Sequence, residues 1–295
     1  MNRILRFVIF GNVYQAKKSL AVQKLLCQLE ERKAEILIDK SFYEYLVDGL
    51  KLNIQPHGLI EGNDFDADFA VSMGGDGTFL EAASRVGDKR VPIIGINTGR
   101  LGFLADVTAD EIDSAIECIY NQDFQIDERS VLRVQYSDGQ PESYPYALNE
   151  VAVLKRDNSS MISIRICIDR EYLTTYQADG IIINTPTGST GYALSVGGPI
   201  TVPHSHTFGI VPVAPHSLNV RPITIYDDVE VELTVESRSH QFLVAIDGRS
   251  ESCQEDIKLK ITRAPYPICV VKRPSTSFFK TLRNKLMWGS DVREA

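Results

Sequence analysis

Residues 69 to 87, FAVSMGGDGTFLEAASRVG, set Asp76 among three close glycines, Gly74, Gly75 and Gly77, between an apolar run and a helix-like segment. A strand that ends in Gly74-Gly75 and turns into a helix near Thr78 exposes unpaired backbone N–H groups, which suit phosphate oxygens. Gly74, Gly75 and Gly77 let a ligand come close. A carboxylate in such a loop needs a reason. Either Asp76 caps the helix by accepting from the N–H groups of residues 78 or 79, or it is an anomaly that the loop alone does not explain. The loop is neither GxxxxGK(S/T) nor GxGxxG, so the two commonest nucleotide fingerprints are absent.

A second stretch, QADGIIINTPTGSTGYALSVGGPI at 177 to 200, runs a short apolar strand into a turn crowded with hydroxyls and amides. Neutral donors of that kind can ring a phosphate or a ribose, although an ordinary Ser/Thr/Gly turn has the same composition. Between the two loops, ALNEVAVLK at 147 to 155 places Asn149 and Glu150 in an otherwise apolar run. They are either a buried pair in need of partners or a sheet-edge pair facing water. The five histidines show no HxxxH or HExxH spacing, and no protein metal site is expected. Asn158-Ser159-Ser160 is formally a glycosylation acceptor that a cytosolic chain would not use.

The elements that must position these groups change character along the chain. The first 120 residues alternate short apolar runs (4–10, 34–38, 68–73, 91–96) with amphipathic ones (15–32, 41–50, 78–86, 109–120), a rhythm that predicts a parallel sheet covered by helices. From about residue 124 the period becomes two. Ten strand candidates follow: 129–136, 144–154, 162–168, 172–177, 180–184, 209–213, 229–236, 242–246, 257–263 and 267–271. They predict a β sandwich or layered β domain. The tail from 276 to 288 is amphipathic, and its Lys280, Arg283 and Lys285 read as a solvated face. The expected organisation is an α/β domain over 1–123, a β-rich domain over 124–274 and a helix with a tail over 275–295.

A chain of 295 residues with 43% hydrophobic content can bury two cores. Its net charge of −8 argues against nucleic acid, whose backbone is bound by clustered Lys and Arg. No run approaches the roughly 20 apolar residues of a membrane span, and residues 1 to 12 hold too short an apolar run for a secretory segment. Five widely spaced cysteines without a CxxC pair read as reduced packing residues, so a cytosolic location is expected.

GGDGT at 74–78, LNE at 148–150 and DGIIINTPTGSTGY at 179–192, in that order, resemble the NAD kinase family. NTGRLGFL at 97–104 and PVAPHSLNVRPI at 212–223 extend the likeness over residues 68 to about 250. GGDGT alone is shared with diacylglycerol and sphingosine kinases, and a related GGDGS with phosphofructokinases; the ordered set is far more specific. The resemblance implies a Rossmann-like N-terminal domain, a C-terminal β-sandwich-like domain, and substrate in the cleft between them. It also implies transfer of the terminal phosphoryl group of ATP, or in some members polyphosphate, to the 2′-hydroxyl of the adenosine ribose of NAD. A divalent metal, usually Mg²⁺, assists, and the family forms homodimers or homotetramers. A lipid kinase sharing GGDGT and an inactive nucleotide sensor are the alternatives. The former lacks support, because such enzymes seldom carry the NE and TPTGSTGY pair and no apolar or basic membrane-docking segment is evident in this sequence, and Asp76 within GGDGT weighs against the latter.

Carried over residue by residue, the likeness makes Asp76 the base that takes the 2′-hydroxyl proton or orients that hydroxyl. Gly74, Gly75, Gly77, Thr78 and Asn97 belong with that loop as binding candidates. Asn149 and Glu150 match the pair that holds the adenosine ribose and adenine. Asp179 matches the acidic residue that binds near the nicotinamide end, often from a neighbouring subunit. Thr190, Gly191, Tyr192, Ala193, Leu194 and Ser195 fall in the segment that packs against adenine and the dinucleotide backbone. Two departures stand out. Gly191 replaces a frequent alanine, which should loosen the site, and Gln177 replaces a basic residue. Arg249, after the Asp247-Gly248 turn, is either a substitute charge or a surface arginine.

Overall fold

The computed structural model describes residues 3–11, 19–99, 102–139, 144–156 and 160–289. Residues 15–18 of the expected first helix, Arg100 and Leu101, and Asn158 and Ser159 lie outside the described residues.

In chain order the elements begin with β1 (Arg6–Gly11), α1 (Ser19–Glu31), β2 (Glu35–Asp39), α2 (Lys40–Glu44), β3 (Gly58–Ile60), β4 (Phe69–Gly74), α3 (Asp76–Val86), β5 (Ile93–Asn97), α4 (Ile112–Tyr120) and β6 (Gln125–Arg129). The β-rich part comprises β7 (Leu132–Tyr136), β8 (Tyr146–Ala147), β9 (Glu150–Lys155), β10 (Ile162–Ile168), β11 (Glu171–Ala178), β12 (Gly180–Asn184), α5 (Tyr192–Ser195), β13 (Thr207–Val213), β14 (Ile223–Tyr226), β15 (Val231–Glu236), β16 (Gln241–Ile246), β17 (Arg249–Gln254) and β18 (Leu259–Arg263). β19 (Ile268–Lys272) and α6 (Phe278–Leu286) end the described chain.

Two compact units result, one up to Glu128 and from Ile268 onward, the other Arg129–Pro267. In the first, seven strands run in the order β3-β2-β1-β4-β5-β19-β6. Every residue of β4 and β5 is buried, the mark of strands covered on both faces. β1 pairs in parallel with both β2 and β4, so the order reverses direction there, and the loops after the carboxyl ends of such strands are where open α/β sheets bind ligands. The Gly74-Gly75 turn is one of those loops. β19, expected in the β-rich half, instead pairs in parallel with β5.

The second unit stacks two six-stranded antiparallel sheets, β11-β10-β15-β18-β7-β8 and β14-β13-β12-β9-β16-β17. Alternate residues of each meet in one core: Ile162, Ile164 and Ile166 from β10 with Val151, Val153, Ile181, Ile183 and Phe242 from the other sheet. Strand β12 is buried on both faces, because Ile182 on its outer side packs with Ala193 of α5. That contact folds the hydroxyl-rich turn back over the sheet. The single strand expected over 144–154 is broken between β8 and β9, and the break is where Leu148 and Asn149 turn. No helix among the described residues is long and apolar enough to cross a membrane.

Candidate active site

Helix α3 starts two residues earlier than its sequence suggests. Gly75 is its N-cap, with extended backbone, and Asp76 is its first helical residue. The capping alternative for Asp76 therefore does not hold. Its carboxylate turns to the loop after β5. Oδ1 accepts from the backbone N–H groups of Leu104 at 3.0 Å and Ala105 at 3.1 Å, and Oδ2 accepts from that of Phe103 at 2.9 Å. The Lys285 ammonium lies 3.4 Å from Oδ2. Gly102 makes room for this seat, since a Cβ there would stand 1.9 Å from Asp76 Oδ1.

The other glycines of the loop divide into two kinds. At Gly74 a Cβ would stand 2.1 Å from Thr78 Oγ1, so the fold itself excludes a side chain. At Gly75 and Gly77 a Cβ would meet nothing within 4 Å, and neither has positive φ. Their smallness serves no neighbour in the chain and leaves backbone amides open to a ligand. Thr78 is buried beneath the turn. Asn97, also buried, spends its amide on the loop that faces Asp76: Nδ2 donates to Ala105 O at 3.3 Å, and Oδ1 accepts from Gly99 N at 2.6 Å.

The second unit gathers residues 148–150, 185–191 and 247. Asp247, in the left-handed region at φ 47°, receives the N–H groups of Leu148 at 2.7 Å, Asn149 at 2.9 Å and Glu150 at 3.1 Å. Thr185 closes the other side, its N–H donating to Asn149 O at 2.9 Å and its hydroxyl to Leu148 O at 2.6 Å. Gly188 is pressed against Asn149, where a Cβ would stand 2.0 Å from the carbonyl oxygen. Two buried atoms in this turn, Asn149 Oδ1 and Glu150 Oε2, have no hydrogen-bond partner among the described residues. The buried-pair reading of Asn149 and Glu150 is the one the geometry favours over a solvent-facing edge.

Burial and the neighbouring Asp247 charge push the Glu150 carboxyl up to about 7, against the opposing N–H of Tyr192. Burial also raises the Asp247 carboxyl, opposed by its three N–H donors and by Arg249. Arg249 donates to Tyr146 O at 3.0 Å, and its guanidinium sits 5.5 Å from the centre of the Tyr144 ring. It is thus an internal brace with a half-buried stem. Gly191 is tight, not loose: a Cβ there would stand 2.8 Å from Glu150 Oε2, so its absence keeps that oxygen open.

Thr190 bonds back to Thr187 O at 3.2 Å, and Ala193 is buried beneath the sheet. Leu194 is half-buried, while Tyr192 and Ser195 are exposed. Asp179 is not brought to this cluster. It lies at the other end of β12, ion-paired with Lys155 at 2.7 Å, whereas Asn184 at the far end aligns with Glu150. Sequence reasoning missed Asp247, read only as a turn, and Lys285, read as a solvated face. Nothing local marks either, because each acts across a long loop.

Comparisons with known proteins follow the same division. A family model described as the ATP-NAD kinase N-terminal domain matches residues 7–124, and one described as the ATP-NAD kinase C-terminal domain matches residues 148–273. The NAD kinase of Bacteroides fragilis is 60% identical over 289 residues, covering 98% of this chain and all of that one. That of Porphyromonas gingivalis is 40% identical over 288 residues, covering 98% and 99%. Among solved structures, an Archaeoglobus fulgidus NAD kinase in complex with ATP superposes with a TM-score of 0.75 at 26% identity, over 96% of this chain and 99% of that one. Yeast NADH kinase complexed with NADH shares the fold with a TM-score of 0.89 at 20% identity, over 100% and 91%. Two family models that together match most of the chain, and relatives aligned along nearly all of it, lead to one conclusion: this chain belongs to the NAD kinase family.

Proposed function

We propose that this protein transfers the terminal phosphoryl group of ATP to the 2′-hydroxyl of the adenosine ribose of NAD, with Asp76 taking the proton and the Asn149–Glu150 turn holding the ribose. The observation that carries the reading is the pair of buried, unpartnered oxygens, Asn149 Oδ1 and Glu150 Oε2, in one turn. A ribose diol presents hydroxyl donors, which is what two such acceptors lack. In the step itself the 2′-oxygen bonds to the γ-phosphorus as the bond to the ADP oxygen breaks, and the proton passes to Asp76. Three backbone N–H groups fix the Asp76 carboxylate, so it contributes chiefly by its position.

The described residues hold no group of three His, Cys, Asp or Glu side chains able to cage an ion. The donor set suits a cation carried on the phosphates of ATP, where magnesium keeps most of its waters and takes few protein ligands. Such an ion offsets charge on the phosphoryl group. Purified protein with ATP, Mg²⁺ and NAD should form NADP, while diacylglycerol in place of NAD should remain unphosphorylated. The reverse pattern would restore the lipid kinase alternative. A cytosolic setting suits the five free cysteines.

Ionised Glu150 is acceptor-only and is the form that receives the ribose hydroxyls. With its carboxyl at about 7, protonation below that pH turns one acceptor oxygen into a hydroxyl donor and weakens the site. KM for NAD should therefore rise roughly tenfold in all between pH 8 and pH 6, the scale of one charged hydrogen bond, and Glu150→Gln should flatten that rise. A wild-type KM for NAD that does not change between pH 8 and pH 6 would refute the assignment. Stability has the opposite sign: a folded-state carboxyl raised from 4.5 stabilises the fold below pH 4.5, and that contribution is lost as pH climbs through 7.

Asp179 has a different part in this reading. The five residues of β12 separate it from the Glu150 end by about 16 Å at ~3.3 Å per residue, too far for both to grip the same small part of a ligand. The proposed assembly is a homo-oligomer, a dimer or tetramer, in which Asp179 serves a neighbour's nicotinamide end. Mixed oligomers of Asp179→Ala and Asp76→Asn protomers should then exceed the activity of either variant alone. No recovery, in oligomers shown by mass to be mixed, would confine the whole site to one chain.

A further inference from the structure

A carboxylate offers about four in-plane acceptor positions, two on each oxygen. On Asp76 all four have a donor: Leu104 and Ala105 N–H on Oδ1, Phe103 N–H and the Lys285 ammonium on Oδ2. Three of these donors are backbone amides in one loop and cannot leave without unfolding it. The fourth is a side chain at 3.4 Å, the longest of the set, with 30% of its surface still exposed. An acceptor hydroxyl that is to give its proton to Asp76 can enter at one place only, the place Lys285 holds.

The helix that carries Lys285 is built to hold it there. Ser277 caps α6 by accepting from Lys280 N, and Leu282 is buried. Phe278 packs on Phe103, ring centres 6.4 Å apart, and the Lys285 ammonium lies 4.7 Å from the centre of the same ring. The residue whose N–H supports Oδ2 is thus clasped by the helix that delivers the cation. A solvated lysine needs neither contact.

We propose that Lys285 is a further catalytic residue: it holds Asp76 Oδ2 in the free enzyme, yields that oxygen to the 2′-hydroxyl, and turns its ammonium to the oxygens of the phosphoryl group in transfer. The exchange costs little, because a partly exposed ion pair as long as 3.4 Å is weak. The released cation stays within a side chain's reach of the phosphoryl oxygens, over which the transferring charge is spread, and preorganised positive charge there accelerates transfer. The inference rests on the reading of Asp76 as proton acceptor.

The test compares Lys285→Met, Lys285→Arg, Asp76→Asn and the Asp76→Asn, Lys285→Met double variant of the full chain, by kcat and by KM for NAD and ATP. Lys285→Met should lower kcat about 30- to 100-fold, with KM for NAD unchanged or lower, since a competitor for Oδ2 is gone. Lys285→Arg should recover to within about fivefold of wild type. The double variant should be no more than about twofold slower than Asp76→Asn, because both residues act on one event. Unchanged amide hydrogen exchange over residues 278–286 reports that α6, anchored by buried Leu282, remains docked. A kcat within threefold of wild type in Lys285→Met, equal losses in the Met and Arg variants, or multiplicative losses in the double variant would overturn the proposal. Normal turnover in Asp76→Asn would instead remove the Asp76 reading on which it stands.

Discussion

Asp76→Asn should bind NAD with near-normal affinity and turn over at least about 100-fold more slowly, the scale of a lost proton acceptor. The amide keeps one oxygen, which can still receive Leu104 and Ala105 N–H. Its nitrogen, placed where Oδ2 was, faces the Phe103 N–H and the Lys285 ammonium with donors of its own. Two contacts to Oδ2 are lost, the Phe103 hydrogen bond at about 1 kcal/mol and the weaker Lys285 ion pair at less, so the midpoint of thermal unfolding should fall by only a few degrees. Steady-state rates beside a thermal melt check both parts. A variant with wild-type turnover would reduce Asp76 to a tie for the 103–105 loop.

The second large effect falls on Asp247. Asp247→Ala leaves three neighbouring N–H groups without their acceptor and replaces a residue that tolerates φ 47° with one that does not. At about 1 kcal/mol or more for each unsatisfied donor, the loss is on the order of 3 kcal/mol. The thermal midpoint should fall by more than about 5 °C, and KM for NAD should rise at least tenfold while KM for ATP stays within about threefold. Asp247→Asn removes the charge but keeps an acceptor. It should lower the pH at which NAD binding weakens, because the Asp247 charge is one of the two causes that hold the Glu150 carboxyl up. An unchanged melt in Asp247→Ala would mean that the 148–150 turn stands without its anchor.

The apolar strands were legible because their chemistry is local. Ile181 to Ile183 between Gly180 and Asn184 can hardly be anything but a buried strand, and β12 has those bounds. β17, RSESCQ, escaped notice because an edge strand with exposed polar residues has no hydrophobic alternation to show. β19 is legible as a strand, but the sheet it joins is not. Its first four residues are all buried, a pattern that belongs to a parallel sheet, yet the chain must return across the whole β-rich unit to reach β5. The start of α3 was missed for a chemical reason: Asp is a favoured cap, but here glycine occupies the cap and the carboxylate bonds elsewhere. The motif residues of the site were legible as types. Their holders were not, since Asp247 acts 97 to 99 positions away from the turn it ties and Lys285 acts 209 away from Asp76.

In the proposed function Asp76 takes part in the chemistry and Glu150 binds the ribose, and a single-turnover experiment separates the two most directly. Enzyme in excess over labelled ATP is mixed with increasing NAD, and the rate of NADP formation is followed for wild type, Asp76→Asn and Glu150→Ala. Saturating NAD should restore Glu150→Ala to within a few fold of the wild-type rate and leave Asp76→Asn about 100-fold or more below it. If high NAD instead rescues Asp76→Asn, or fails to rescue Glu150→Ala in protein that melts like wild type, the division of labour described here is wrong.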